Sequence, residues 1–243
     1  KTKRLRKRNN VIETRQPLPI KGTGSSLSVH MLLNTPLKDL TVIAFDTETS
    51  GAYPIESELC EIAAVKWQAG TIVDTFQTLV RPTRPMSDFI IGIHGITNEM
   101  VADAPLPSDV IPKFRSFLKD SIVMAHHAAF DLGFLAYEFE KKGLMFPAAP
   151  AFCTSLMSRH LFPESTNHKL QTLVEFFNLP KGVAHRALDD TKACLEVGLR
   201  CFEKLGWETS LEEAFKSQGG PMEWKDFSLY ELQNSEKGNV IVT

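Results

Sequence analysis

Two acidic residues at the end of an apolar segment constrain what this chain can fold into. Asp46 and Glu48 stand two positions apart after the run TVIAF at 41–45, whose β-branched and aromatic residues predict a buried strand. Side chains alternate between the two faces of a strand, so both carboxylates point to the same side. Two like charges on one face of a core strand are unfavourable unless the strand runs out into solvent or a cation lies between them. The pair alone favours the solvent interpretation, because short motifs often arise by chance.

The pattern of apolar residues predicts an α/β fold. Strands are expected at 41–45, 58–67, 71–80 and 121–125, and helices are expected at 110–118, 130–139, 154–162, 169–177 and 188–205. The short connection at Ala69-Gly70 is typical of a hairpin, and Thr97 is placed to cap a further helix. Three successive strands followed by strands alternating with helices indicate a mixed sheet with helices packed on it.

Composition divides the chain into three parts. Residues 1–28 begin with six basic side chains in the first eight positions and continue with a stretch containing Pro, Gly and Ser, which predicts a flexible basic tail and linker. Residues 29–206 carry the strand and helix patterns of a folded domain. Residues 207–243 are less regular but contain several Trp and Phe residues, so we expect this C-terminal extension either to pack on the domain or to bind a partner.

Charge and cysteine content limit the classes of partner. With the six basic residues of the first eight positions set aside, the chain is acidic, since its 29 Asp and Glu residues exceed the remaining 27 − 6 = 21 Lys and Arg residues. A protein that grips duplex nucleic acid broadly is basic throughout, so this body is expected to meet a polyanion only locally, with metal ions supplying positive charge. No apolar run approaches the ~20 residues of a membrane span. Four cysteines without metal-site spacing are typical of a reducing compartment, so we expect a cytoplasmic protein with no membrane partner.

Two further acidic sites follow along the chain. Asp131 comes shortly after the strand at 121–125, where a helix begins, and His185 precedes Asp189 and Asp190 at the start of the last long helix. Taken alone, each acid is an ordinary first-turn residue that complements the helix dipole, and His185 is an ordinary surface histidine. None of these residues predicts a function by itself.

Together the three sites predict a metal centre. The ends of strands and the entrances of helices converge on one edge of a mixed α/β sheet. A cluster of carboxylates without a thiolate suits Mg²⁺ or Mn²⁺, and four acids need about two divalent cations to be neutralised. A single histidine beside such a site fits a general base for an attacking water. The candidate residues are Asp46, Glu48, Asp131, Asp190 and His185.

These motifs resemble those of a known family. The segments FDTETSG at 45–51, HHAAFD at 126–131 and HRALDDT at 185–191 occur in the order found in the DEDDh exonucleases, also called DnaQ-like, which have a ribonuclease H-like fold. The resemblance covers about 40–205 and implies a five-stranded mixed sheet, its first three strands antiparallel, flanked by helices. The segment HGIT at 94–97 is also similar to one in the proofreading epsilon subunit of bacterial DNA polymerase III.

The resemblance also implies a role for each site residue. Two divalent cations, Mg²⁺ or Mn²⁺, would be bound by four carboxylates: Asp46, Glu48, Asp131 and Asp190. His185 would act as the general base. The terminal nucleotide would be contacted by Thr49, Ser50, Gly51, His94 and Phe130. The implied reaction is hydrolysis of the 3′-terminal phosphodiester of single-stranded or frayed DNA, with release of nucleoside 5′-monophosphates in the 3′ to 5′ direction.

Several questions stay open at the level of sequence. The same five catalytic residues occur in relatives that trim RNA, so a 3′–5′ RNA exonuclease is the alternative to a DNA enzyme. A non-catalytic docking module of the same fold is a further alternative, although it predicts the loss of one or more ligands. A DNA polymerase subunit is a candidate partner that the sequence does not decide. His127 stands where the family often has Asn, and we expect this exchange to tune the site rather than abolish activity.

Overall fold

A five-stranded mixed sheet forms the centre of the molecule. The computed structural model describes residues 32–119 and 121–229. The strands lie in the order β3-β2-β1-β4-β5, with the bounds β1 Thr41–Thr49, β2 Leu59–Gln68, β3 Thr71–Leu79, β4 Ile122–Ala125 and β5 Ala151–Cys153. The first three strands pair antiparallel, whereas β4 pairs parallel with β1, and β5 pairs parallel with β4. The predicted α/β fold with its five-stranded mixed sheet is confirmed.

Helices connect and cover the strands. The α-helices that lie wholly within the described ranges are α1 Asp88–His94, α2 Asn98–Val101, α3 Pro107–Phe117, α4 Ala129–Lys141, α5 Thr154–Leu161, α6 Leu170–Phe176, α7 Ala187–Leu205 and α8 Leu211–Phe215. Thr97 caps α2 as predicted, since its Oγ1 accepts a hydrogen bond from the Met100 N–H. The sequence pattern does not predict α1, because the seven residues DFIIGIH are too few to show a helical period.

β1 is longer than the apolar run predicts. It continues through Asp46 and Glu48 to Thr49 because antiparallel pairing with β2 extends that far, whereas pairing with β4 ends at Ala44. The two acids therefore lie within the sheet, at the point where β4 no longer covers the edge of β1. A register shift between Glu48 and Thr49 marks a β-bulge here, and bulges are common beside functional sites.

Helices pack on both faces of the sheet. Ile43 and Phe45 belong to the core formed with α3 and α4, whereas Val42 and Ala44 belong to the core formed with α7. Alternation along β1 places its two acids on the second face, in line with Val42 and Ala44. Burial of apolar surface, at about 25 cal/mol per Å², stabilises β1 between the two helical layers. The acids are thus carried by a strand that contributes to the apolar cores on both faces of the sheet.

The C-terminal extension packs against the domain as far as residue 229. Trp207 stacks on Trp67, with ring centroids 5.8 Å apart. Trp224 is 2 % exposed and stacks near Phe45, with ring centroids 6.5 Å apart. A backbone bridge also joins the extension to β5. The described part of the extension therefore contributes to both cores of the domain.

Parts of the predicted domain division lie outside the described residues. These parts are the basic tail at 1–28 and the end of the extension at 230–243, so the division into three parts stays a prediction. In the ranges 32–119 and 121–229, no helix combines the length and the apolar character needed to cross a membrane.

Candidate active site

The edge of β1 beside its two acids is covered by the start of α4. Asp131, in the first turn of α4, accepts two hydrogen bonds at Oδ1, one from the Thr47 N–H at 2.9 Å and one from the Thr47 hydroxyl at 2.7 Å. The Thr47 N–H is available because β4 has ended by this point of β1. α4 follows β4 directly, so the topology brings Asp131 to the same edge of the sheet as Asp46 and Glu48.

Asp131 is an acid in a buried environment. Its exposed fraction is 3 %, and burial raises its pKa to about 7, against the lowering effect of the hydrogen bonds from Thr47. A first-turn carboxylate that only complemented the helix dipole would be expected in solvent. The contact with β1 therefore makes Asp131 part of the acidic site rather than a simple helix-start residue.

The start of α7 brings the third acidic motif to the same place. Asp190 is 9 % exposed, and it accepts hydrogen bonds from the His185 N–H at 2.7 Å and from Gln171 Nε2 at 3.2 Å. His185 is exposed and has a left-handed backbone, with φ of 60°. The possible ligand atoms of Glu48, His185 and Asp190 all lie within 4.8 Å of one another. The fold thus joins β1 and α7 in one cluster.

The carboxylates of this cluster repel one another. The pKa of Asp46 is raised well above its usual range by burial and then by the charges of Asp131, Glu48, Asp190 and Glu61. Burial and three of these acids raise the pKa of Glu48 to about 8, which the charge of Arg186 opposes. Carboxylates crowded in this way are stable in their charged form only when cations neutralise them.

The donor set fits hard divalent cations. The candidate ligands from β1, α4 and α7 are carboxylates with His185 beside them, and such oxygen-rich sets prefer Mg²⁺ or Mn²⁺. Within the described ranges, Asp46 and Asp131 fall outside the group of ligand atoms that lie within 4.8 Å of one another, and their charges couple them to it. Raised pKa values are the expected response of such a site when its charge is not neutralised.

Glu61 is a further acid that the sequence analysis does not single out. It stands opposite Glu48 in the register of β1 and β2 and is 1 % exposed. Its Oε1 lies 3.6 Å from Arg186 Nη2 and accepts a hydrogen bond from Gln77 Nε2 at 3.1 Å, and its Oε2 accepts one from the Ala187 N–H at 3.3 Å. The signal in the sequence is an acid within the apolar strand run LCEIAAV, since a buried acid needs a partner.

The residues predicted to contact the nucleotide differ in exposure. Phe130, at the start of α4, is 41 % exposed. His94 is 4 % exposed, its Nδ1 accepts a hydrogen bond from the Ile96 N–H at 3.0 Å, and its Nε2 lies 3.7 Å from Cys60 Sγ. The structure therefore presents Phe130 to solvent and packs most of His94 into the protein.

Thr49 ends β1, and Ser50 and Gly51 begin the turn that follows it. Thr49 Oγ1 donates a hydrogen bond to the Gly51 carbonyl at 2.6 Å. The Ser50 N–H donates to the Glu58 carbonyl at 2.8 Å, and Ser50 Oγ accepts from the Glu58 N–H at 2.9 Å. A Cβ atom at Gly51 would lie 2.4 Å from Ser57 Oγ, so a larger residue here would have to displace the Ser57 side chain. The turn beside the acids thus has a defined geometry.

His127 lies between β4 and α4 and contacts α5. It adopts a left-handed φ of 57°, a region that Asn and His tolerate better than most residues, which accounts for either residue at this position. Its Nδ1 lies 3.3 Å from Ser155 Oγ. The neighbouring His126 lies 2.8 Å from Thr154 Oγ1 and 3.0 Å from the His168 carbonyl, and burial lowers its pKa to about 4. Both histidines therefore join α5 to the start of α4.

Relatives of known class match the central part of the chain. The RNase_T family model, described as an exonuclease, matches residues 43–197. The PolC-type DNA polymerase III of Caldanaerobacter subterraneus is 43 % identical over 163 residues, which cover 67 % of this chain and 12 % of that polymerase. The PolC-type DNA polymerase III of Bacillus subtilis is 40 % identical over 158 residues, which cover 65 % of this chain and 11 % of that polymerase. The chain thus spans about an eighth of the length of these relatives.

Solved structures share the fold. A structure described as exonuclease X in complex with 5′ overhanging duplex DNA is 32 % identical, with a TM-score of 0.56, and the match covers 73 % of this chain and 99 % of that one. E. coli exonuclease I in complex with a dA16 oligonucleotide has a TM-score of 0.60 at 16 % identity, over 68 % of this chain and 43 % of that one, which shows a likeness of fold. The chain belongs to the RNase_T exonuclease family, and its predicted membership of the DnaQ-like exonucleases is confirmed.

Proposed function

We propose that this chain is a metal-dependent 3′–5′ exonuclease that hydrolyses the 3′-terminal phosphodiester of single-stranded or frayed DNA and releases nucleoside 5′-monophosphates. The observation that carries the proposal is the convergence of carboxylates from β1, α4 and α7 beside His185, in a fold of the exonuclease family. The acidic body of the chain also supports it, because an enzyme that acts on strand ends needs only local contact with the polyanion.

The divalent cations would be Mg²⁺ or Mn²⁺, held by Asp46, Glu48, Asp131 and Asp190. Bound there, two such ions would neutralise charge that develops on the phosphate and lower the pKa of water. The mutually repelling carboxylates of Asp46 and Glu48 support this assignment, since a bound cation would favour their charged forms. The ligands come from three separate elements, so the site depends on the folded chain.

His185 would take the proton from the attacking water. Its exposure and its position beside Glu48 and Asp190 support the role, because a general base must reach both the water and the reacting group. The turn after β1 and the exposed ring of Phe130 on α4 would contact the last nucleotide. Stacking of a base on an aromatic ring tolerates any base. The proposed contacts are Thr49, Ser50, Gly51, His94 and Phe130.

We propose that this exonuclease proofreads for a DNA polymerase. The similarity to PolC-type DNA polymerase III, over a segment equal to 12 % of that polymerase, supports the setting. The likeness to an exonuclease X structure described with duplex DNA supports DNA as the polymer. The proposed partners are the 3′ end of a DNA strand and a polymerase subunit, in the cytoplasm.

Incubation with 5′-labelled single-stranded DNA tests the proposal. We expect shortening from the 3′ end with Mg²⁺ or Mn²⁺ and none with EDTA. Asp46→Ala removes the carboxylate at the centre of the cluster and should lower the rate by about 10³-fold or more. Asp74→Asn, which changes an exposed acid on β3, is the matched control and should keep the rate of the unchanged protein.

A matched RNA oligonucleotide in the same assay separates the two polymers. We expect DNA to be shortened faster, and faster shortening of RNA would instead identify an RNA exonuclease of this family. Failure to shorten either polymer with both metals would contradict the proposed function. Full activity of Asp46→Ala would contradict the proposed site.

A further inference from the structure

We propose that Glu61 is a positioning residue of the site: it fixes the start of α7, and with it His185 and Asp190, against β1. The inference rests on the proposed exonuclease function. It adds a residue from β2 to a site otherwise built from β1, α4 and α7. Glu61 acts through its neighbours and has no assigned contact with the nucleic acid.

The position of Glu61 is unfavourable for a carboxylate that lacks compensating contacts. It faces Glu48 directly across the β1–β2 register, and like charges in that arrangement destabilise a sheet. Its charge also contributes to the raised pKa values of Asp46 and Glu48. A buried charge is tolerated only when it is paired and hydrogen-bonded. The partners of the Glu61 carboxylate therefore indicate its role.

Those contacts hold the first residues of α7. The residue that caps this helix is Arg186, whose own side chain makes no capping hydrogen bond. The Oε2 of Glu61 instead accepts the Ala187 N–H at 3.3 Å, which satisfies one of the free N–H groups of the first turn. The Oε1 of Glu61 lies 3.6 Å from Arg186 Nη2, and a negative charge here also complements the helix dipole.

His185 is thereby held from both sides. Its own N–H is bound by Asp190 within the α7 segment, and the next two residues are bound by Glu61 from the sheet. Gln77 on β3 donates to Glu61 at 3.1 Å and orients its carboxylate. The exposed ring of His185 therefore takes its place relative to Glu48 from a chain of contacts that runs through Glu61.

Glu61→Gln tests this role with little change in shape. The amide oxygen can still accept the Ala187 N–H, whereas the charge that pairs with Arg186 is lost. We expect kcat for DNA shortening to fall about 10–100-fold, as for other residues that orient ligands, with KM changed by less than about threefold. Glu138→Gln is the matched control, since Glu138 is a 3 % exposed acid of α4 that pairs with Lys141, and it should keep kcat.

Thr191→Val controls for simple docking of α7. Thr191 donates a hydrogen bond to the Ala63 carbonyl of β2 at 3.2 Å, one turn further along the same helix. We expect Thr191→Val to unfold at a lower temperature but to keep kcat. Glu61→Gln should instead lose kcat and keep its unfolding temperature. In a double-mutant cycle, Arg186→Gln should add little to the loss in kcat caused by Glu61→Gln, because the two residues act as one unit.

Two outcomes would overturn the inference while leaving the proposed function intact. Full kcat in Glu61→Gln would show that Glu61 serves folding only. Loss of one bound Mn²⁺ per chain in that variant, measured by metal titration, would show that Glu61 is a ligand instead. If the unchanged protein shortens no nucleic acid, the proposed function fails, and Mn²⁺ titration then tests the positioning role by itself. Because Glu61 holds the segment that carries Asp190, weaker Mn²⁺ affinity at unchanged stoichiometry in Glu61→Gln would support the role, and unaltered affinity would contradict it.

Discussion

At the scale of single residues, proton binding and metal binding compete at the same oxygens. The pKa of Glu48 is about 8 and that of Asp131 is about 7 in the metal-free protein, so protons occupy part of the site near neutral pH. A bound divalent cation requires the charged carboxylates, so Mg²⁺ affinity should fall, and proton release on binding should rise, as the pH is lowered from about 9 to about 6. Calorimetric titration in two buffers of different ionisation enthalpy measures both, and a pH-independent affinity would contradict it.

The same raised pKa values make a prediction for the stability of the metal-free protein. An acid whose pKa is higher in the folded state binds more protons folded than unfolded, so stability falls as the pH rises through that interval. For Glu48 the interval runs from its ordinary value of 4.5 to about 8. Melting temperatures in EDTA should therefore be higher near pH 6 than near pH 9, and saturating Mg²⁺ should reduce or reverse the difference. A rise in melting temperature toward pH 9 in EDTA would contradict this sign.

At the scale of elements, α7 approaches the sheet closely because it carries a glycine there. A Cβ atom at Gly198 would lie 2.5 Å from Met124 Sδ in the buried core, whereas a Cβ atom at Gly92 of α1 would meet nothing within 4 Å. Gly198→Ala should therefore lower the free energy of unfolding by about 1–3 kcal/mol through overpacking. Gly92→Ala should raise it by up to about 1 kcal/mol through helix propensity. Urea unfolding measures both, and equal stabilisation by the two changes would show that α7 has room to spare.

The elements also show why β1 is longer than its apolar pattern predicts. Hydrophobic periodicity predicts β1 only to residue 45, because Asp46 and Glu48 are polar. Pairing with β2 extends the strand to Thr49, since backbone hydrogen bonds do not depend on side-chain polarity. α1 is present without a sequence signal because Ser87 caps it and its apolar residues pack on a small core.

At the scale of the whole molecule, the C-terminal extension is part of the folded core. Trp224 is 2 % exposed and contacts Phe45 and Phe139, which lie on β1 and α4. Trp224→Ala should lower the free energy of unfolding by about 3–5 kcal/mol, as expected for a buried tryptophan. Phe89→Ala, at a residue 77 % exposed, should change it by no more than about 0.5 kcal/mol. Denaturant unfolding compares the two, and similar small losses would mean that the extension packs only loosely.

The predictions from sequence succeeded where the signal is local. Alternation, helical spacing and turn residues sufficed for four strands of the sheet and for the cap at Thr97, and three short motifs sufficed for the family. The fifth strand, Ala151–Cys153, has only three residues, too few to show a period of two, and only the family resemblance implied it. The predicted positions of Asp46, Glu48, Asp131, His185 and Asp190 come together at one edge of the sheet, as the topology argument expects. Their catalytic and metal-binding roles stay predictions for the assays above.

By itself, the sequence determined the class of fold, the family and the acids that define its motifs, because each strand, helix and motif is encoded in residues close together along the chain. Only the tertiary structure decided that Asp131 binds Thr47, 84 positions away, and that Glu61 binds Ala187, 126 positions away. It also decided that Trp224 lies in the core. Contacts over such distances depend on how strands and helices pack, and no local pattern of residues specifies that packing.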